Sequence, residues 1–127
     1  MTVAYVDTSA LIAVAFDESV GMDMAGRLME ISDLLSSNLL EAELRSAFSR
    51  ESVDFPPSLL SGLNWVFPDR SLEPEINTIL RLGYLRGADL WHVASALYVA
   101  REPDKMWFVT LDKRQRSVAE TVGFKVF

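Results

Sequence analysis

Short apolar runs of strand length recur along this chain, and each is followed by a stretch with helical periodicity; that alternation limits the folds open to it. Thr2 to Val6 is β-rich and runs into Asp7-Thr8-Ser9, residues suited to capping a helix. Helices are expected at Ala10 to Phe16 and Val20 to Ile31, then a brief strand at Leu34 to Ser37. A helix at Leu39 to Glu51 carries an apolar stripe of Leu40, Leu44, Ala47 and Phe48. Pro56-Pro57 ends it, with a helical turn or two at Ser58 to Leu63 and a strand at Trp65 to Phe67 stopped by Pro68. Pro74 to Tyr84 and Ala88 to Arg101 read as helices separated by Gly87. Met106 to Thr110 is the clearest later strand, followed by a helix at Lys113 to Val122 that Gly123 ends and a terminal strand at Lys125 to Phe127. Strands alternating with helices imply a parallel sheet covered on both faces.

The chain of 127 residues is expected to form one domain over 1–127, with room for a core that needs no covalent staples. It has no cysteine, which excludes disulfides and thiolate metal sites and is compatible with a reducing cytosol. The first apolar run carries Asp7 and lacks a basic leader, and no uncharged stretch nears the roughly 20 residues of a membrane helix. A soluble, cytoplasmic protein is the expectation. A net charge of −6 argues against a protein that coats nucleic acid, but not against an enzyme whose acids hold a metal. The 50% apolar content is high for a small monomer and hints at an apolar interface.

Asp7 and Asp112 each lie just past the carboxyl end of an expected strand, the edge at which open α/β sheets bind ligands. Taken singly, each is as well explained as a helix cap. Asp89 opens the most apolar helix of the chain, on a face continued by the small Val93, Ala96 and Ala100. Glu41 and Glu43 border opposite sides of the Leu40/Leu44 stripe, and periodicity does not choose between them. Several acids brought together would repel one another without a cation. Hard oxygen donors suit Mg²⁺ or Mn²⁺, whose chemistry with phosphate is the activation of water for attack at phosphorus.

At these residues the chain resembles PIN-domain ribonucleases, in particular toxins of the VapC type from type II toxin–antitoxin pairs. The resemblance is carried by Val6-Asp7-Thr8-Ser9-Ala10-Leu11, Glu43-Leu44 after Ser36-Ser37, and the run from Asp89 to Ala96. Val109-Thr110-Leu111-Asp112 and Gly123-Phe124-Lys125-Val126 complete it. It implies a three-layer α/β/α fold with a central parallel sheet of four to five strands, and Asp7, Glu43, Asp89 and Asp112 as the acidic, metal-binding and catalytic cluster. The family places its glutamate directly before a leucine, which favours Glu43. Thr8, Ser9 and Thr110 match supporting hydroxyl positions. A metal-dependent endoribonuclease, a cognate antitoxin and a homodimer are implied with it. The proline-interrupted stretch from Ser52 to Asp69 carries no motif of the family.

Of the cations near these acids, Arg86, Arg114 and Arg116 are the candidates for substrate phosphate. His92, the only histidine, stands three residues after Asp89, where it could orient that acid or simply pack. Trp65, Trp91 and Trp107 read as core or interface. The competing reading is a PIN-like module that binds RNA or protein without catalysis. A phosphatase with Asp7 as nucleophile is disfavoured, because Ser9 stands where that chemistry wants a second acid.

Overall fold

The computed structural model describes residues 2–127. Strands β1 (Val3–Val6), β2 (Asp33–Ser37), β3 (Leu63–Val66) and β4 (Met106–Val109) form one sheet in the order β3-β2-β1-β4. Every pairing is parallel. The expected fifth strand at Lys125 to Phe127 is a single parallel bridge between Lys125 and Trp107. Helices α1 (Thr8–Phe16), α2 (Glu18–Met29), α3 (Leu39–Arg50), α4 (Glu73–Leu82), α5 (Gly87–Val99) and α6 (Lys113–Val122) account for the helical patterns. Gly87, expected to separate two helices, is instead the first residue of α5. The turn after Pro56 is a 3-10 segment over Pro57–Leu59, short enough that β3 begins earlier than expected, at Leu63.

Alternation along the strands sends side chains to two apolar layers. Ala4, Val6 and Val109 join Leu11, Met24, Leu28, Leu40, Leu44 and Phe48, so α1, α2 and α3 cover that face. Tyr5, Met106 and Phe108 join Ile79, Val93, Ala96, Val118 and Ala119, which places α4, α5 and α6 on the other. Tyr5 and Phe108, neighbours across β1 and β4, stack with ring centroids 5.5 Å apart.

The chain moves outward from β1 to β2 and β3, then returns to place β4 on the opposite side of β1. The order therefore reverses between β1 and β4, and a crevice opens at their carboxyl ends. The ladder closes there with the Asp7 amide donating to the Val109 carbonyl at 2.9 Å. That bond sets the starts of α1 and α6 side by side.

Glycines finish the frame at two tight points. Gly123, at φ +126°, ends α6 with its amide donating to Glu120 and the Phe124 amide reaching back to Ala119, a Schellman turn that seats Phe124 in the core. Gly21 lets α2 cross α1 closely, since a Cβ there would stand 2.2 Å from the Ala13 carbonyl oxygen. We expect Gly21→Ala to push the helices apart and cost about 1–3 kcal/mol, measured by denaturant unfolding. A variant as stable as the parent would show that the helices part freely.

Candidate functional site

Two of the candidate acids, Asp7 and Asp112, stand in turns after strands, and the other two, Glu43 and Asp89, are carried by helices α3 and α5. Asp7 follows β1 and caps α1, its Oδ2 accepting from the Ser9 amide at 3.1 Å. Asp112 follows β4 and caps α6, its Oδ1 accepting from the Gln115 amide at 2.8 Å. The capping role weighed for both residues is thus present. It uses one oxygen of each carboxylate and does not by itself account for their surroundings. Asp89 makes no cap: it lies in the first turn of α5, whose N-cap is Arg86.

Glu43 and Glu41 separate clearly. Glu41 is paired with Arg45 on the exposed side of α3, Nε to Oε2 at 2.7 Å. Glu43 faces Thr8 and His92 and lines a cavity of about 360 Å³ with Asp7, Ser9, Ser46, Arg50 and Asp89. Asp89 also lines a second cavity, of about 500 Å³, with Tyr84, Leu85, Arg86, Asp112 and Arg114. The two cavities meet at Asp89 as one cleft along the topological switch point.

Asp7 is the deepest of the acids, with 4% of its surface exposed, so its oxygens must find donors within the protein. Gln115, fully buried, supplies one: its Nε2 lies 3.2 Å from Asp7 Oδ1 and 3.2 Å from the Asp89 carbonyl oxygen. Its Oε1 accepts from the Thr110 hydroxyl at 2.7 Å. That hydroxyl in turn accepts from the Asp112 amide, while Ser9 Oγ accepts from the Leu111 amide. One amide side chain therefore braces β1, β4 and α5 around the cleft. Sequence reading missed Gln115. The available signal was a polar residue on the buried stripe that Val118, Ala119 and Val122 continue along α6.

His92 does not orient Asp89, one of the roles considered for it. One turn further along α5, its ring points inward, with Nε2 2.7 Å from Glu43 Oε1 and 3.9 Å from Asp7 Oδ1. Its Nδ1 lies 2.8 Å from the Tyr5 hydroxyl, which accepts the Ser37 amide at 3.0 Å. The Glu43 carboxylate can only accept, and a tyrosine oxygen that accepts the Ser37 amide still has its own proton to give to Nδ1. In the neutral imidazole the ring proton then sits on Nε2 and is donated to Glu43. Thr8 donates to the same oxygen at 2.9 Å.

The electrostatics follow. Burial pushes the Glu43 carboxyl up, but hydrogen bonds from His92 and Thr8, aided by charge on His92, bring it below the usual range. Burial, then the negative charges of Asp7 and Asp112, hold Asp89 above its usual range. Burial likewise raises the Tyr5 hydroxyl.

The remaining candidates divide. Arg86 is exposed at the mouth of the cleft. Arg114 donates through Nε to the Tyr84 carbonyl at 3.0 Å. Arg116 is half-buried and turned to the protein, its Nη2 donating to the Thr110 carbonyl at 3.3 Å, and it lines neither part of the cleft.

Hard oxygen donors dominate the cleft, which suits a divalent ion of the Mg²⁺ kind in donor chemistry. Among the described residues, however, no group of three or more Asp, Glu or His side chains is gathered closely enough to enclose an ion.

Compared with protein families, residues 4–121 match the PIN domain. The chain belongs to the PIN domain family. PIN domains are generally nucleases, so this is a chain of a nuclease family whose parallel sheet and flanking helices agree with a PIN-like fold. Compared with curated proteins and with solved structures, the chain gives no match. No helix among the described residues is long and apolar enough to cross a membrane.

Two outcomes are expected of this PIN domain site. Nitrogen-15 NMR of the neutral His92 ring should show the proton on Nε2, and Tyr5→Phe should release the ring to a mixture; a proton on Nδ1 would reverse the chain of hydrogen bonds. For Asp89, a raised folded-state value means that ionisation is penalised in the folded protein. Above that value Asp89→Asn removes the penalty; below about pH 4 the acid is neutral in folded and unfolded chains and the benefit vanishes. In EDTA the variant should melt higher than the parent at neutral pH and lose that advantage in acid. An advantage independent of pH would rule out an ionisation penalty at Asp89.

Proposed function

We propose that this PIN domain chain is a divalent-metal-dependent endoribonuclease that hydrolyses RNA phosphodiester bonds, acting as a VapC-type toxin of a type II toxin–antitoxin pair. The observation that carries the reading is the cleft at the β1/β4 switch point, lined by Asp7 and Glu43 on one side, Asp112 on the other and Asp89 on both. The raised Asp89 carboxyl agrees with it: burial is the larger cause, and the charges of Asp7 and Asp112 add to it, a repulsion that a cation would relieve.

Asp7, Glu43, Asp89 and Asp112 would hold Mg²⁺ or Mn²⁺. A bound ion of this kind supplies activation of water at neutral pH and neutralises charge developing on phosphate. The chain's own residues do the positioning. His92 and Thr8 fix Glu43 Oε1, Gln115 and the Ser9 amide hold the two oxygens of Asp7, and Ser9 and Thr110 tie the starts of α1 and α6 together. Arg86, exposed at the rim, would meet substrate phosphate. The antitoxin, the homodimer and a cytoplasmic setting belong to the same proposal. Met22 and Met29, 77% and 87% exposed on α2, support an apolar protein contact.

Purified protein should cleave a structured RNA in Mg²⁺ and stop in EDTA, and Asp7→Asn with Asp112→Asn should lower the rate by about 100-fold or more. Cleavage that persists in the double variant would overturn the assigned site. The open spacing of the acids favours one other reading, a PIN-like module without catalysis. It predicts no thermal shift on Mg²⁺ titration, whereas an ion bound to the folded state must raise the melting temperature. The toxin role predicts growth arrest on expression, relieved by co-expression of an adjacent small reading frame.

A further inference from the structure

We propose that the exposed ring of Tyr84, backed by the guanidinium of Arg114, is a stacking subsite for one unpaired nucleobase next to the bond to be cut. The inference rests on the ribonuclease reading and adds to it a residue that holds one unpaired base.

Tyr84 lies in the short link between α4 and α5. The following residue, Leu85, is buried and anchors the link in the core, while Tyr84 itself is 64% exposed. Arg114 stands two residues beyond Asp112. It ties down both parts of Tyr84: Nε donates to the Tyr84 carbonyl at 3.0 Å, and the guanidinium carbon lies 5.5 Å from the ring centroid. The ring is thereby held against α6 and faces the cavity of about 500 Å³ that Asp89 and Asp112 share.

An exposed aromatic ring on a protein surface often has no role. The position of this one distinguishes it. The other exposed large aromatics among the described residues, Phe16, Phe67 and Phe127, line neither part of the cleft. The chemistry of the cleft also leaves a need that Tyr84 meets. A wall of carboxylates on a chain of net charge −6 repels phosphates, so a substrate gains little from long-range charge. A nucleobase is neutral, and stacking on an aromatic or guanidinium plane is insensitive to that repulsion. Arg114, engaged with Tyr84, stiffens the platform; Arg86 beside it is left to meet the phosphate. A base pair inside a helix has both faces covered by its neighbours, so only an unpaired base can use the ring.

The test uses a fluorescein-labelled uridylate oligomer of about ten nucleotides, in Mg²⁺, with Asp7→Asn present throughout to prevent cleavage. Tyr84→Ala should weaken binding by about 5- to 100-fold, while Tyr84→Phe stays within about twofold of the parent. An oligomer with an abasic site at the stacked position should bind both forms equally. Equal melting temperatures for the Ala and Phe variants separate the effect from folding. If Tyr84→Ala leaves affinity unchanged, the subsite is overturned, and a simultaneous change in oligomeric state would assign the ring to a protein contact instead. If the oligomer binds no form of the protein, the ribonuclease reading falls and the subsite with it. If Asp7→Asn with Asp112→Asn leaves cleavage unchanged while Tyr84→Ala weakens binding, the subsite stands and the acidic site is wrong.

Discussion

A carboxylate buried as deeply as that of Asp7 is tolerated only where donors surround it, and much of the sheet's carboxyl edge is arranged to meet that requirement. The Ser9 amide and the Gln115 side chain hold its two oxygens, with the Thr110 hydroxyl nearby. Each donor comes from the start of a helix or the end of a strand, so satisfying one charge also fixes β1 and β4 and the helices that follow them. The parallel bond between the Asp7 amide and Val109 is part of the same joint. Fold and candidate site share these hydrogen bonds, and neither can be altered at this edge without the other.

Glu43 shows a second kind of control. Its position depends on a line of polar groups running inward through His92 and Tyr5 to the Ser37 amide at the end of β2. A carboxylate can only accept, so the ring donates from Nε2 and, when neutral, receives the Tyr5 proton at Nδ1, while the Ser37 amide donates to the Tyr5 oxygen. Thr8, from α1, adds a second donor to the same oxygen. The carboxylate is oriented from α1 and α5 together, although it is carried by α3.

The alternation of strand and helix patterns was enough to read the parallel architecture, and helix α6 falls on the expected residues, Lys113–Val122. Asp7 and Asp112 were legible because strand ends in such sheets converge by topology. The choice of Glu43 over Glu41 was legible only through the family resemblance, since both flank one stripe and periodicity does not separate them as the approach of α1 and α5 does. Lys125 to Phe127 has a strand-like composition, yet only Lys125 pairs, because ladder length depends on where β4 ends and no periodicity records that. Gln115 and the inward turn of His92 escaped for a common reason. Polar residues read as surface until tertiary partners exist, and their partners lie 108 and 49 residues away.

The brace at Gln115 is electrically neutral, and this has a consequence for the cleft. A lysine or arginine reaching the same point would also hold Asp7, but its permanent cation would cancel the carboxylate's field. An amide orients the oxygen and leaves its charge uncancelled. The protein thus separates geometry from charge at Asp7: the carboxylate is held by neutral donors rather than by a fixed cation.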